Sequence, residues 1–292
     1  MQRNLLLLFC GLFMLKTGVL GAEIRLHSAQ GGDLILQKPA ARIVSLSPHL
    51  TENLFAVGAG SKLVGAVDYS DYPPAAQQVP RVGSYDRVDL ERIVALKPDL
   101  VLAWHTGNSP ASLEKLRALG IPVWATEPGD IAAIADQLEQ LGRMAGTART
   151  AKIAAQDFRK RLAKIQRQAA AKPKVRVFYQ VWKSPLMTVA GPQLISQAIE
   201  LCRGKNVFAS LAGLSPTVSI EAVLAERPEV IVASGMDTER PEWLDDWRQW
   251  KSIPAAAGGH LYFIPPHLLQ RHTPRLLEGL EQLCEFIDRA RL

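Results

Sequence analysis

The residues that most often catalyse reactions or bind metals are scattered along this chain. None of the six histidines shares a helical face with a second His or a Cys at a metal-binding spacing; they are His27, His49, His105, His260, His267 and His272. The sequence also has no G-x-S-x-G turn, H-E-x-x-H helix, Walker loop or G-x-G-x-x-G turn. We therefore predict no catalytic residue, no metal site and no cofactor. A hydrolase that uses Ser47 or Ser84 with one of the histidines remains the alternative.

Aromatic residues form a clearer pattern, because several follow predicted strands. Trp104 ends one predicted strand and Trp182 ends another, while Tyr69 and Tyr85 lie in polar turns. Ligands of parallel α/β sheets gather at the carboxyl ends of the strands. Aromatic rings in that position can stack on a large flat ligand. Each ring taken singly fits ordinary packing, but four of them from both halves of the chain favour a ligand-binding platform.

The elements that must position these rings alternate between strand and helix. Short apolar runs predict strands at 43–47, 63–67, 99–104 and 121–126, and helical periodicity predicts helices at 51–57, 90–96, 110–119 and 131–144. Such alternation is typical of β-α-β units with a mostly parallel sheet. From Thr147 to about Ala171 there is neither Gly nor Pro, which predicts one long amphipathic helix that ends before Pro173. After it the alternation resumes, with segments at 175–182, 186–190, 193–202, 220–225, 229–233, 241–250, 260–264 and 273–289.

An internal repeat indicates that the two halves share one architecture. The segment 90–103 aligns without gaps to 220–233 and keeps Glu, Ala, Pro and the final Ala in register. We predict an α/β protein with two Rossmann-like lobes, residues 41–146 and 173–292, joined by the helix 147–172. The cleft between two such lobes is the expected ligand site.

The first 22 residues predict export. A basic start is followed by an apolar run over residues 5–15 and then by small residues, which is typical of a cleaved secretion signal. A lipid anchor at Cys10 is the alternative, which the large Phe9 before it disfavours. Removal of residues 1–22 lowers the formal charge of the 292-residue chain from +6 to +4 and gives no reason to expect a nucleic-acid partner.

The exported chain keeps only Cys202 and Cys284. An isolated pair in an oxidising compartment forms either a disulfide or two separate buried thiols, and export favours the disulfide.

Four strings carry a resemblance to a known family. Ile43-Val-Ser-Leu-Ser-Pro-His-Leu-Thr-Glu52 resembles the entry motif of the helical-backbone substrate-binding proteins of ABC importers, which carry cobalamin, haem or iron-siderophores. Tyr69-Ser-Asp-Tyr-Pro-Pro74, the segment 90–104 and Arg271-His-Thr-Pro-Arg275 are similar to the periplasmic cobalamin-binding proteins of the BtuF type. The resemblance covers about residues 41–288 and implies a periplasmic protein that delivers cobalamin or a related corrinoid to a permease dimer with ATPase subunits.

The resemblance also implies which residues line the cleft: Tyr69, Tyr85, Trp104, Trp182 and Arg271, with His267 nearby. Tyr85 stands where the family often has Trp, and Ser215 stands where a Trp is expected, so one stacking surface is missing. His49 and His105 either approach a metal centre in a bound tetrapyrrole or are polar rim residues. Haem or iron-siderophore binding is the alternative within the superfamily. Cys202 and Cys284 fall on the family's disulfide positions.

Two acids occupy equivalent positions of the repeat. Asp89 and Ser219 look like N-caps, which places Glu91 and Glu221 at the second position of their helices. A carboxylate there interacts favourably with the helix dipole, which explains both acids without any function. In the resembling family these acids dock on arginines of the permease dimer, and one acid per lobe suits a two-fold partner.

Overall fold

The computed structural model describes residues 23–29, 32–235 and 239–292. The predicted signal at 1–22, with Cys10, lies outside the described residues. The described chain forms two four-stranded parallel sheets covered by helices, with an N-terminal hairpin of strands β1 (Ile24–His27) and β2 (Asp33–Leu36) beside the first sheet. This arrangement confirms the predicted fold class.

The first lobe is a parallel sheet with the strand order β4-β3-β5-β6. Its strands are β3 (Ile43–Ser45), β4 (Leu63–Ala66), β5 (Leu100–Trp104) and β6 (Val123–Thr126). Its helices are α1 (Pro48–Ala56), α2 (Leu90–Ala95), α3 (Pro110–Ala118) and α4 (Ala133–Ala145). Residues of β3, β5 and β6 are almost all buried. Burial on both faces explains why these strands read as continuous apolar runs rather than as alternating patterns.

The helix α5 (Ala148–Ala169) connects the two lobes. Its buried residues recur every three or four positions, which gives one apolar stripe: Ala151, Ala155, Phe158, Leu162, Ile165 and Ala169. This stripe packs on α4 and on helices of the second lobe.

The second lobe repeats the topology of the first, with the strand order β8-β7-β9-β10. Its strands are β7 (Val175–Gln180), β8 (Gly204–Asn206), β9 (Val230–Ala233) and β10 (Leu261–Phe263). Its helices are α6 (Leu194–Leu201), α7 (Ile220–Glu226), α8 (Pro254–Gly258), α9 (Pro266–Leu269) and α10 (Leu276–Arg289).

The internal sequence repeat corresponds to the units α2–β5 and α7–β9. Both predicted N-caps are confirmed, since Asp89 accepts a hydrogen bond from the backbone N of Arg92 and Ser219 accepts one from the backbone N of Ala222. After each helix the residue that precedes the shared Pro is left-handed, with φ of 46° at Lys97 and 47° at Arg227.

An acid directly precedes the strand that follows each of these helices, at equivalent positions of the repeat. The carboxylate of Asp99 accepts a hydrogen bond from the backbone N of Arg42 at 2.9 Å, and Glu229 accepts one from Arg176 N at 2.8 Å. Each acid thereby fixes the start of one strand against the neighbouring strand. The two halves of the repeat share this hydrogen bond.

The structure differs from the sequence-based expectations in four places. Segment 186–190 forms isolated bridges from Met187 to Trp182 and Thr217 instead of a strand, and β7 ends at Gln180, two residues before Trp182. Segment 241–250 is a 3-10 helix over Glu242–Gln249. Strand β8 is only three residues long and contains Gly204, Lys205 and Asn206, so no apolar pattern identifies it in the sequence.

The predicted disulfide is confirmed between Cys202 and Cys284. It ties the end of α6 to α10 within the second lobe, across 82 residues of chain. No helix in the described part of the chain has both the length and the hydropathy needed to cross a membrane.

We predict that Cys202→Ala with Cys284→Ala lowers the free energy of unfolding by about 4 kcal/mol, because a loop of this length gains that much entropy when it opens. Urea denaturation followed by circular dichroism measures the change. The reduced wild-type chain is the control and should match the double variant. A loss below about 1 kcal/mol in both samples would contradict the prediction.

The cleft between the two lobes

The carboxyl ends of strands from both sheets meet around a cavity of about 360 Å³. In the first lobe its walls come from the ends of β5 and β6, namely Trp104, Thr106, Glu127, Pro128 and Gly129. In the second lobe they are Val181, Val189, Pro192, Gln193, Leu194, Ile195, Gln197, Leu214, Ser215, Leu269, Gln270 and His272. The cleft thus combines a few polar side chains with a mostly apolar wall, as is typical of small-molecule sites.

Trp104 is held in place by the turn that follows β5. Its backbone N donates to the side chain of Asn108 at 2.6 Å, and the amide of Asn108 donates to the carbonyls of Leu46 and Tyr85. Gly107 is required in this turn, because a Cβ there would lie 1.9 Å from the indole ring of Trp104. The Tyr85 ring lies 5.8 Å from the Trp104 ring, so the structure brings these two predicted ligand residues together.

Tyr69 and Trp182 are exposed aromatic residues of different lobes. Tyr69 is 75% exposed and has a left-handed backbone with φ of 61°. Trp182 is 38% exposed, and its indole N donates to the carbonyl of Ser184 at 3.1 Å. Neither residue lines the cavity described above. Both rings are free to contact a ligand that extends beyond it.

Arg271 bridges the lobes. Its guanidinium donates to the carboxylate of Asp71 at 2.9 Å and to the carbonyl of Tyr69 at 3.1 Å. Burial alone would raise the pKa of Asp71, but the hydrogen bond and the charge of Arg271 outweigh burial and lower it. A ligand that binds this arginine must therefore share it with Asp71 or displace that carboxylate.

A second arginine forms the most buried ion pair between the lobes. Arg275 donates to both carboxylate oxygens of Glu52, at 2.8 and 2.7 Å, and the Glu52 side chain is only 3% exposed. The guanidinium also lies over the Tyr72 ring, 3.6 Å from its centre. Next to it, the Asn53 amide donates to the carbonyl of His272 at 2.8 Å. Helix α1 of the first lobe thereby holds the loop before α10 of the second.

Sequence reasoning did not identify this pair, although both strings that contain it, 43–52 and 271–275, were singled out. Glu52 and Arg275 are 223 residues apart, so no helical or strand periodicity relates them. The only available signal was that each is a charged residue within a string that resembles the family.

The pKa values of three histidines near the cleft, His49, His267 and His272, lie below the ordinary value for histidine. His49 is buried, its ring pairs with the Ser47 hydroxyl and it packs against Trp104 and His272. Burial is the largest cause, and the proximity of His272 and the charge of Arg271 add to it, so the pKa of His49 lies well below its ordinary value. Burial and the two nearby arginines also lower the pKa of His267.

His105 follows Trp104 directly, and its backbone N donates to the carbonyl of Thr126. No set of three or more His, Cys, Asp or Glu side chains within the described ranges is arranged to hold a metal ion.

Glu91 and Glu221 are exposed at the start of α2 and α7. Backbone N–H groups and the hydroxyl of Ser219 lower the pKa of Glu221, so this carboxylate stays ionised near neutral pH. Helices of β-α-β units run antiparallel to the strands they precede, so both acids lie on the same side of the sheets as the cleft.

Comparisons with known proteins agree with this architecture. The sequence profile of the periplasmic binding protein family matches residues 43–268. The chain is 39% identical over 254 residues to the vitamin B12-binding protein of Vibrio parahaemolyticus, which covers 86% of this chain and 90% of that protein. The crystal structure of the periplasmic vitamin B12-binding protein BtuF of Vibrio cholerae superposes with a TM-score of 0.80 at 37% identity, over 87% of this chain and 98% of that one. A periplasmic heme-binding protein from Pseudomonas aeruginosa has a TM-score of 0.73 at 26% identity, over 85% of this chain and 93% of that one.

We predict that Glu52→Gln lowers the free energy of unfolding by about 3 kcal/mol, because it leaves the Arg275 charge buried without its partner. Urea denaturation measures the loss. Arg159→Gln is the matched control, since it breaks exposed ion pairs with Asp136 and Glu139 and should cost less than about 1 kcal/mol. Equal losses in the two variants would show that the Glu52–Arg275 pair stabilises the fold no more than an exposed ion pair does.

Proposed function

The chain belongs to the periplasmic binding protein family, and we propose that it captures cobalamin or a related corrinoid between its two lobes and delivers it to an ABC importer. The observation that carries the proposal is the 39% identity to a vitamin B12-binding protein along 90% of that protein's length. The proposal includes cleavage of a signal at 1–22 rather than lipid anchoring at Cys10, release into the periplasm, and lobes that span residues 41–146 and 173–292.

The aromatic rings around the cleft support a flat ligand that extends beyond the cavity of about 360 Å³. Trp104 and Tyr85 offer adjacent rings on one lobe and Trp182 offers a ring on the other, so a macrocycle between the lobes would contact aromatic surface on both faces. The side chains of Gln193 and Gln270 in the cavity wall can both donate to and accept from amide groups. A corrinoid carries many such amides around its ring.

Haem is the competing ligand, because a similar solved structure is a heme-binding protein. A haem carrier is expected to supply a Tyr or His ligand to the iron. His49 is 5% exposed and already paired with Ser47, which makes it a poor ligand without rearrangement. This disfavours His49 as an iron ligand, whereas Tyr69 and Tyr85 are exposed, so haem is kept as the competing ligand in the test below.

Hydrolysis is disfavoured by the surroundings of the two serines considered. Ser47 pairs with His49 but has 0% exposure, so a substrate carbonyl cannot reach its hydroxyl in this conformation. Ser84 donates to the carboxylate of Asp86 at 2.6 Å rather than to a histidine. Neither serine has the accessible, base-activated arrangement that nucleophilic catalysis requires.

Isothermal calorimetry with cyanocobalamin, cobinamide and haem tests the proposal. We expect both corrinoids to bind, and we expect Trp104→Ala to weaken cyanocobalamin binding about 30-fold because it removes a central stacking surface. Trp104→Phe keeps an aromatic face and should recover most of the loss, which separates stacking from misfolding. Haem binding without corrinoid binding would refute the proposed ligand.

Delivery to an importer requires a docking surface, and we propose that Glu91 and Glu221 supply it, one on each lobe. Both are exposed on the cleft side at equivalent positions of the repeat, which matches the symmetry of a two-fold permease. The helix dipole explains why an acid is tolerated at these positions, but it does not require one.

We predict that Glu91→Ala with Glu221→Ala lowers uptake at least about tenfold, through loss of two charge pairs with the permease, while calorimetric affinity for cyanocobalamin stays unchanged. Uptake of labelled cyanocobalamin by cells that carry the variant measures the effect. Glu114→Ala with Glu226→Ala is the matched control, because it also removes one exposed acid from each lobe. Unchanged uptake by the first variant would contradict the docking role.

A further inference from the structure

The formal charge of the connecting helix α5 equals the formal charge of the whole chain. It contains seven Lys or Arg residues and a single acid, Asp157, and therefore has a formal charge of +6. The chain of 292 residues also has a formal charge of +6, so the other residues together are balanced. The excess positive charge is thus concentrated on one element.

Most of these cations form no ion pair with the described residues. Arg159 pairs with two carboxylates of α4, and Arg161 pairs with Glu281 of α10. The remaining five form no ion pair with any residue that the structure describes; they are Arg149, Lys152, Lys160, Lys164 and Arg167. All five are exposed. Structural ion pairing therefore does not explain them.

Helical geometry arranges four of them in a straight stripe, and Lys152 lies to one side of it. At 100° per residue, Arg149, Lys160, Lys164 and Arg167 fall within a sector of about 60° around the helix axis, and they extend over about 27 Å. Ile153 lies in the same sector and is 61% exposed. The outer face of α5 is therefore narrow, linear and mainly cationic, with Ile153 among its charges and the acid Asp157 about 20° outside the sector.

This stripe faces away from the cleft. Helix α5 begins just after α4 and ends just before β7, so it runs past the amino ends of the strands, whereas the cleft lies at their carboxyl ends. No residue of α5 lines the cleft cavity. A partner bound on this stripe leaves the cleft open.

We propose that the outer face of α5 binds the surface of a bilayer that contains anionic phospholipid. A straight row of four cations, with Lys152 beside it, matches a flat sheet of phosphate groups, and an exposed Ile within the row can insert between headgroups. Association of this kind holds the protein with its cleft, and with Glu91 and Glu221, facing away from that bilayer, so the protein must leave it before it docks on a permease. It does not depend on which ligand the cleft binds.

Flotation of the exported, purified protein with vesicles tests this inference. We expect binding to vesicles of phosphatidylcholine with 30% phosphatidylglycerol at low salt, weaker binding at high salt, and none to pure phosphatidylcholine. Lys160→Gln with Lys164→Gln and Arg167→Gln should weaken binding about 100-fold, since each cation near an anionic surface contributes roughly fivefold. Circular dichroism checks that the helix is retained.

A second triple variant separates the stripe from overall charge. Lys115→Gln with Lys205→Gln and Lys251→Gln removes the same number of exposed cations elsewhere and should bind vesicles like the wild type. Equal loss in both triple variants would overturn the inference, because net charge alone would then explain binding. Binding to soluble heparin without binding to anionic vesicles would overturn it as well. Calorimetry with cyanocobalamin on the same samples reports on the cleft separately.

Discussion

The Glu52–Arg275 ion pair is the interaction on which the geometry of the cleft depends. It joins α1 of the first lobe to the start of α10 in the second, and both charges lie in a largely water-excluded position where a lost partner is not replaced by solvent. Next to it, Asn53 fixes the His272 carbonyl and Arg271 reaches Asp71. The loop before α10, which belongs to the second lobe, is therefore anchored on the first lobe. This anchoring sets the width of the cleft.

Duplication of one unit explains why a cleft forms at all. Each lobe carries its strands in the same order, so the carboxyl edges of both sheets are available for ligand contact. The capped helices α2 and α7 and the acids at the starts of β5 and β9 recur in both lobes. The lobes differ at the cleft itself, where Trp104 of the first, with the Tyr85 ring beside it, lines the cavity together with apolar residues of the second such as Leu214 and Leu269.

The two sides of the molecule carry opposite electrostatic features. On the cleft side, the exposed acids Glu91 and Glu221 lie at helix starts, where a carboxylate interacts favourably with the helix dipole. On the opposite side, α5 exposes a row of cations that no described carboxylate neutralises. To connect two lobes, a helix needs a buried apolar stripe and a polar outer face, and that face could carry positive or negative charge. The fold therefore does not require the excess of positive charge on the outer face of α5.

The sequence by itself determined the local pattern: the β-α-β alternation, the long helix, the repeat with its two N-caps, and family membership, all of which the structure and the comparisons confirm. It determined these features because periodicity and capping depend on residues a few positions apart. The disulfide was predicted because only two cysteines remain after the signal. Only the tertiary structure decided that Glu52 meets Arg275, that Arg271 is shared with Asp71 and that Gly107 lies against Trp104. The two ion pairs join residues about 200 positions apart, and even the Gly107–Trp104 contact depends on the packed path of the turn, which no local pattern encodes.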